Sequence, residues 1–166
     1  MQLRNACQGD HRAILELYKR VASVPGGLAR LADEIDEAYV TSFLTSSMNR
    51  GICLVAAGPG DLQAEIHAYA PVPKCFSHVL SDLTIAVDPS AQGKGLGRRL
   101  FETFMLKVEE THPHVLRVEL IARESNAKAI RFYETLGFTI EGRMDKRIAS
   151  VGGGFESDIP MAWLRA

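Results

Sequence analysis

Gln92-Gly93-Lys94-Gly95-Leu96-Gly97-Arg98 is the stretch of sequence on which the fold prediction depends. It lies between an extended pattern, residues 79–87, and a helical pattern, residues 96–110. Three glycines at alternate positions leave the main chain without Cβ atoms where the helix begins, so several N–H groups can converge on one anion. Lys94 and Arg98 add to the partial positive charge of the helix N-terminus. The pattern predicts a turn that binds a polyphosphate.

Two other glycine motifs fit this stretch poorly. A Walker A loop has Ser or Thr after its Gly-Lys pair to hold magnesium, whereas Gly95 follows Lys94 here. A dinucleotide fold reads G-x-G-x-x-G with an acidic residue about 20 residues further on, whereas Gly97 comes one position early and residue 117 is Arg. For the glycine cluster taken alone, a plain turn remains the alternative.

Residues 115–138, which follow the glycine turn, indicate which kind of glycine motif it is. Residues 115–122 are patterned as a strand, Asn126 as the cap of a helix over 127–136, and Gly137 as the residue that closes it. Three pieces carry a family pattern: Leu83-x-Ile85-x-Val87-Asp88-Pro89, Gln92-x-x-Gly95-x-Gly97 and Asn126-x-x-Ala129-x-x-x-Tyr133-x-x-x-Gly137-Phe138. Together, over residues 79–138, they resemble the GNAT superfamily of N-acetyltransferases.

The resemblance implies an α/β (α+β) fold. Its central sheet would be mixed and mostly antiparallel, with about six to seven strands flanked by about four helices and a splayed strand pair at the cofactor site. We expect a single domain over residues 1–166, with antiparallel strands at 52–57 and 62–70 and a last strand pair at 138–147 and 157–164. Apolar spacing predicts a first helix after Gly9-Asp10 and a second one that carries a stripe of Leu28, Leu31, Ile35, Tyr39 and Phe43.

The resemblance also implies acetyl-coenzyme A (acetyl-CoA) as the cosubstrate, with direct transfer of its acetyl group to a primary amine in a ternary complex. The pantetheine amides could pair with strand backbone as an added strand would. The implied cofactor-binding residues lie on the strand, the turn and the later helix: Ile85, Ala86, Val87; Gln92, Gly93, Lys94, Gly95, Leu96, Gly97, Arg98; Asn126, Ala129 and Tyr133. Ordinary core strand and a plain helix cap are the alternatives for residues 85–87 and Asn126.

Tyr133 resembles the GNAT tyrosine whose hydroxyl lies near the sulfur, where it can donate a proton as the thiolate leaves. A free tyrosine titrates near about 10, so the phenol is a competent acid at neutral pH. The alternative is a core aromatic, because Ala129, Ile130 and Leu136 share its helical face.

The general base is less clear from the sequence. Some protein-acetylating relatives place a glutamate where this chain has Ser81, and the adjacent Asp82 points to the opposite face unless the strand carries a bulge. Glu65 and His67 lie at i and i+2 on the preceding strand and face the same side, so with Tyr133 they are the predicted catalytic residues. The alternatives are that both merely face solvent, or that a water chain deprotonates the amine.

Composition limits the class of protein. With 166 residues, 46% of them apolar and 23% charged, the chain is neither disordered nor of membrane type. A net charge of −1 gives no general attraction to nucleic acid. Cys7, Cys53 and Cys75 lack a C-x-x-C pair, and His112-Pro113-His114 is typical of a solvated loop, so we expect neither disulfides nor a metal.

The expected acceptor is a small-molecule amine or amino-acid-like metabolite. A protein or peptide N-terminus is one alternative, and a non-catalytic acyl-CoA-binding module is another. We expect no nucleic-acid or membrane partner, and the resemblance leaves a homodimer open. The chain starts without a signal-peptide pattern, which predicts a cytoplasmic protein.

Overall fold

A computed structural model describes residues 1–166. The chain forms two compact units. The first unit comprises residues 1–70 and 84–113, and the second comprises residues 71–83 and 114–166. Strand β4, Val79–Val87, contributes its two halves to different units. The single domain expected over residues 1–166 therefore stays a prediction.

The first unit is a sheet with three helices. Its strands run in the order β1-β2-β3-β4, and β1, β2 and β3 pair antiparallel. Its elements are β1 Gln2–Asn5, α1 His11–Ala22, α2 Glu37–Arg50, β2 Gly51–Ala57, β3 Leu62–Tyr69, the second half of β4, and α3 Leu96–Thr111. The predicted helix after Asp10 is confirmed, and it buries Ile14, Leu17 and Tyr18 in the core.

Helix α2 is shorter than the apolar stripe suggests. It begins at Glu37, where the extended Asp36 accepts the Tyr39 N–H at 2.8 Å and caps the first turn. Leu31 is 56% exposed ahead of a 3₁₀ turn at Ala32–Glu34. The prediction that Leu28, Leu31 and Ile35 belong to this helix is wrong, because the apolar spacing of three and four residues continues by chance ahead of the N-cap.

The second unit is a sheet with one helix. Its strands run in the order β4-β5-β8-β6, with β7 also paired to β8. The elements are β5 Arg117–Arg123, α4 Ala127–Thr135, β6 Thr139–Ile140, β7 Met144–Ala149 and β8 Phe155–Leu164. The predicted strand at 138–147 is in fact two strands, since β6 ends at Ile140 and β7 begins at Met144. Eight strands, mostly antiparallel, and four helices confirm the predicted α/β class.

Strand β4 leaves its parallel neighbour early. Only Val79 and Leu80 pair with β5, opposite Arg117 and Val118. Two residues later Asp82 has a φ of 53°, in the left-handed region that interrupts a strand. This is the splay expected at the cofactor site, and it frees main-chain groups from the ladder. No helix of the fold combines the length and the apolar character needed to cross a membrane.

Candidate active site

The glycine turn opens helix α3. Gly95 is the N-cap residue with a φ of 77°, and Gly93 has a φ of 74°. A Cβ at either position would meet no atom within 4 Å, so glycine is required here for its backbone conformation and not for space. No side chain caps the first turn. The first main-chain bond back to Gly95 comes from the Arg99 N–H at 3.0 Å, so the turn presents N–H groups in the manner of an anion site.

Gly97 brings the helix against the end of β4. A Cβ on Gly97 would lie 3.2 Å from Val87 Cγ2 and 3.9 Å from Ile85 Cδ1. Ala86 is fully buried, whereas Ile85 and Val87 are half-buried. The first turn of α3 and the last residues of β4 thus form one continuous surface in the first unit.

The side chains of the turn hold its own main chain. The Gln92 amide donates to the Val87 carbonyl at 3.1 Å, and Lys94 Nζ donates to the Ser90 carbonyl at 2.8 Å. Arg98 Nε donates to Glu102 at 3.0 Å on the exposed side of the helix. These contacts shape the loop and engage the Gln92 and Lys94 side chains with main-chain carbonyls of the same segment.

Arg20 of α1 anchors the residue that follows β4. Its Nε donates to the Asp88 carboxylate at 2.7 Å, and a second nitrogen donates to the Leu62 carbonyl at 3.1 Å. Asp88 in turn accepts both the N–H and the hydroxyl of Ser90. Burial opposes ionisation of Asp88, but these donors outweigh it and hold its pKa below the ordinary value. The sequence alone gives no sign of this anchor, because 68 residues separate the two partners.

Asn126 and Tyr133 belong to the second unit. Asn126 Oδ1 accepts the Ala129 N–H at 3.2 Å, so Asn126 caps α4 as predicted. The Tyr133 ring is half-buried, with the rings of Phe132 and Phe138 at centroid distances of 5.7 and 6.1 Å. Desolvation raises the pKa of Tyr133, which keeps its hydroxyl protonated and able to donate.

Helix α4 has an apolar face that is only partly covered. None of its residues is buried, although Ala129, Ile130 and Tyr133 lie on one face with the cap residue Leu136. The face is therefore half-buried, and the alternative that Tyr133 is a core aromatic stays a prediction. A half-exposed apolar face beside a phenol suits an extended organic ligand.

Glu65 and His67 lie side by side inside the first unit. His67 Nδ1 is 3.0 Å from Glu65 Oε1, so the two side chains share a face as predicted. Glu65 is fully buried and His67 is 2% exposed, so the alternative that they simply face solvent is wrong. Tyr18 donates to Glu65 at 2.5 Å and the Cys53 thiol donates to it at 3.0 Å.

The other candidate positions are less informative. Ser81 is half-buried and Asp82 is exposed, and the positive φ of Asp82 lies within β4. His112 Nδ1 lies 2.8 Å from the Thr111 hydroxyl at the end of α3. No group of three or more His, Cys, Asp or Glu side chains is arranged to hold a metal ion.

The sequence matches a known domain family. Residues 49–140 match the family described as the acetyltransferase (GNAT) domain. The [ribosomal protein bS18]-alanine N-acetyltransferase of Salmonella typhimurium is 41% identical over 78 residues, which are 47% of this chain and 51% of that protein. The match to the curated relatives thus spans about half of their length.

Solved structures share the fold. The ribosomal-protein-S18-alanine N-acetyltransferase of Escherichia coli is 25% identical with a TM-score of 0.76, covering 98% of this chain and 92% of that one. The Salmonella typhimurium protein yncA, solved with its cofactor acetyl-CoA, has a TM-score of 0.82 at 22% identity, covering 99% and 93%. At that identity the second likeness shows the fold alone.

Proposed function

This chain belongs to the GNAT acetyltransferase family, and we propose that it is an N-acetyltransferase that moves the acetyl group of acetyl-CoA to a primary amine. The glycine turn carries the proposal. Gly95 holds the left-handed N-cap conformation that leaves the first turn of α3 open, and Gly97 seats that turn on the end of β4. A diphosphate is the ligand that such a helix N-terminus favours.

Each of the two units would supply further contacts to the cofactor. In the first, the main chain of residues 85–87 would pair with the pantetheine amides, as an added strand pairs with a sheet edge. In the second, Asn126 and Ala129 at the start of α4 would contact the carrier, and the half-exposed face of that helix would be covered by it. The Gln92, Lys94 and Arg98 side chains would keep the turn in shape and add positive charge.

The chemistry needs a donor for the leaving sulfur and a donor for the carbonyl oxygen. The protonated Tyr133 hydroxyl would donate to the departing thiolate. A main-chain N–H at the end of β4 would polarise the thioester carbonyl, in the manner of an oxyanion hole. Holding amine and thioester together supplies much of the remaining rate enhancement.

The acceptor we propose first is a peptide N-terminus. The relative with 41% identity is named for acetylating an alanine of a ribosomal protein, which supports an N-terminal alanine as the acceptor here. A free small amine, as expected from the sequence, is the competing acceptor. Either one presents a primary amine that must be neutral before it attacks.

Thiol release from acetyl-CoA over a panel of acceptors tests the proposal. The panel should include a peptide that begins with Ala, the same peptide with a blocked N-terminus, free amino acids and polyamines. We expect turnover with the free peptide and none with the blocked one. Binding of acetyl-CoA without turnover on any amine would indicate a non-catalytic module, and absence of binding by calorimetry would rule out the proposal.

A further inference from the structure

We propose that His67 is the general base of the transfer and that Glu65 is the residue that positions it. This inference rests on the proposed acetyltransferase function and assigns the step that prepares the amine. It is carried by the hydrogen bonds of the two side chains, by the one ring nitrogen of His67 that has no partner, and by the rings that hold the imidazole.

The carboxylate determines which nitrogen of the imidazole carries the proton. His67 Nδ1 lies 3.0 and 3.2 Å from the two oxygens of Glu65. When Glu65 is ionised its oxygens only accept hydrogen bonds, and Nδ1 is then the donor of this pair. In a neutral ring the lone pair then resides on Nε2. This is the arrangement in which a carboxylate orients a histidine base.

Two further donors hold the carboxylate in place. Tyr18 from α1 donates to one oxygen of Glu65 at 2.5 Å, and Cys53 from β2 donates to the other at 3.0 Å. Burial is the main cause that raises the pKa of both the phenol and the thiol, so both stay protonated as donors at neutral pH. A carboxylate that accepts from three side chains has little freedom to rotate away from the imidazole.

The second ring nitrogen is where the pair meets solvent. Every buried side-chain nitrogen and oxygen of the protein has a hydrogen-bond partner. His67 Nε2 has none, since the hydrogen bonds of the ring all involve Nδ1. Nε2 must therefore account for part of the 2% of His67 that remains exposed. The side chain is almost enclosed, with its basic atom at the opening.

Aromatic rings fix the plane of the imidazole. Phe43 from α2 stacks on it with centroids 4.0 Å apart and an interplanar angle of 9°. Tyr69, two residues further along β3, lies nearly parallel at 6.1 Å and is half-buried. Tyr39, also on α2, packs edge-on against Tyr18. A base held in this way needs little reorganisation when it accepts a proton.

Nε2 of His67 accepts a proton from the ammonium form of the acceptor, which leaves a neutral amine and an imidazolium paired with Glu65. The amine nitrogen forms a bond to the thioester carbon, and the carbon–sulfur bond breaks with its electron pair on sulfur. The thiolate takes the Tyr133 proton, and the new amide gives its second proton back to the Tyr133 phenolate by way of solvent. The His67 imidazolium then releases its proton, so one proton in total passes to solvent.

His67→Gln is the sharpest variant, because it keeps a polar side chain of similar size and removes the basic nitrogen. With an alanine peptide as acceptor we expect kcat at pH 7 to fall about 100-fold, within the range for a lost general base, and acetyl-CoA affinity to stay unchanged. A peptide amine titrates near about 8, so the variant should recover towards the wild-type rate above about pH 9. A structural defect would not be corrected by high pH.

Asp10→Asn is the matched control. Asp10 is another buried carboxylate of the first unit, bound to Arg4 and not to the dyad. We expect it to lower stability while keeping the wild-type pH profile. Wild-type turnover is measured first, so that failure of the proposed function is seen separately from failure of this inference.

Nitrogen-15 NMR of the histidine rings gives a readout that requires no enzymatic activity. We expect His67 to show a protonated Nδ1 and a bare Nε2 at pH 7, and Glu65→Gln to weaken that preference. A proton on Nε2, a wild-type rate in His67→Gln at pH 7, or a rate loss that persists at high pH would each overturn the inference.

Discussion

Arg20 and Asp88 join helix α1 to the residue at which strand β4 ends, through a contact of 2.7 Å between the guanidinium Nε and the carboxylate. The same guanidinium reaches Asp61 at 3.1 Å, before β3 begins. One side chain thus ties the residue before β3 to the residue after β4, and the second of these lies four residues before the glycine turn. The geometry of that turn therefore depends on a helix that contributes nothing to the turn itself.

Arg20→Ala should lower both stability and cofactor affinity. It leaves the nearly buried Asp88 carboxylate without its cation, and because Arg20 is itself about one third exposed we expect a loss of about 1–2 kcal/mol. Urea unfolding measures the stability, and calorimetry with CoA should show affinity weakened several-fold. Lys19→Ala is the control, since its pair with Glu16 is exposed and 3.8 Å long. Equal unfolding midpoints for the two variants would contradict the role of the anchor.

Gly95→Ala should impair binding through backbone strain. A φ of 77° costs an L-residue about 1–2 kcal/mol, and relief of that strain would distort the first turn of α3. We expect a lower melting temperature and about tenfold weaker binding of CoA. Gly152→Ala is the control, because that glycine is not in the left-handed region and an added Cβ would meet nothing within 4 Å. Unchanged affinity in Gly95→Ala would argue against phosphate binding at this turn.

Tyr133→Phe should separate chemistry from binding. The variant keeps the contacts with the Phe132 and Phe138 rings, so folding and acetyl-CoA affinity should be retained. Loss of the proton donor should lower kcat about 100-fold. Because burial raises the Tyr133 pKa, the wild type should not lose this donor below about pH 10. Wild-type kcat in the variant would reassign the acid to another group.

Asp10 gives the fold a defined acid sensitivity. Arg4 donates to both carboxylate oxygens at 2.7 Å and lowers the Asp10 pKa to about 2. The unfolded chain binds this proton more readily, so the ionised carboxylate contributes its full stability above about pH 4 and loses it as the pH falls towards about 2. Asp10→Asn should cost about 1–2 kcal/mol at pH 7, and its difference from the wild type should disappear near pH 2 in unfolding curves. A pH-independent difference would contradict this.

Elements with a strong local signal could be predicted from the sequence. The bounds of β4 and the start of α3 at Leu96 agree with the structure, because alternation ends and glycines begin within a few residues. The splay of β4 is implied only by the family resemblance. The sequence allows an irregularity at Asp82 but does not reveal the positive φ that interrupts the strand there. The predicted helix α2 is too long at its N-terminal end, because apolar spacing does not show where a helix begins.

The environment of the candidate site could be predicted only in part. Placing Glu65 and His67 on one face required only the alternation of a strand. Their burial depends on Tyr18, Phe43 and Cys53, which come from other elements. Nothing in a single sequence indicates such distant partners, so polar residues on a central strand look the same as polar residues on an exposed one.

The partly covered face of α4 affects how readily the sequence of such a protein can change during evolution. A half-buried side chain adds less to the free energy of unfolding than a fully buried one, so exchanges on this face should endanger the folded state less than exchanges in the core. Selection for turnover or acyl preference can therefore change this surface with less loss of stability than the same changes would cause in the strands of the core.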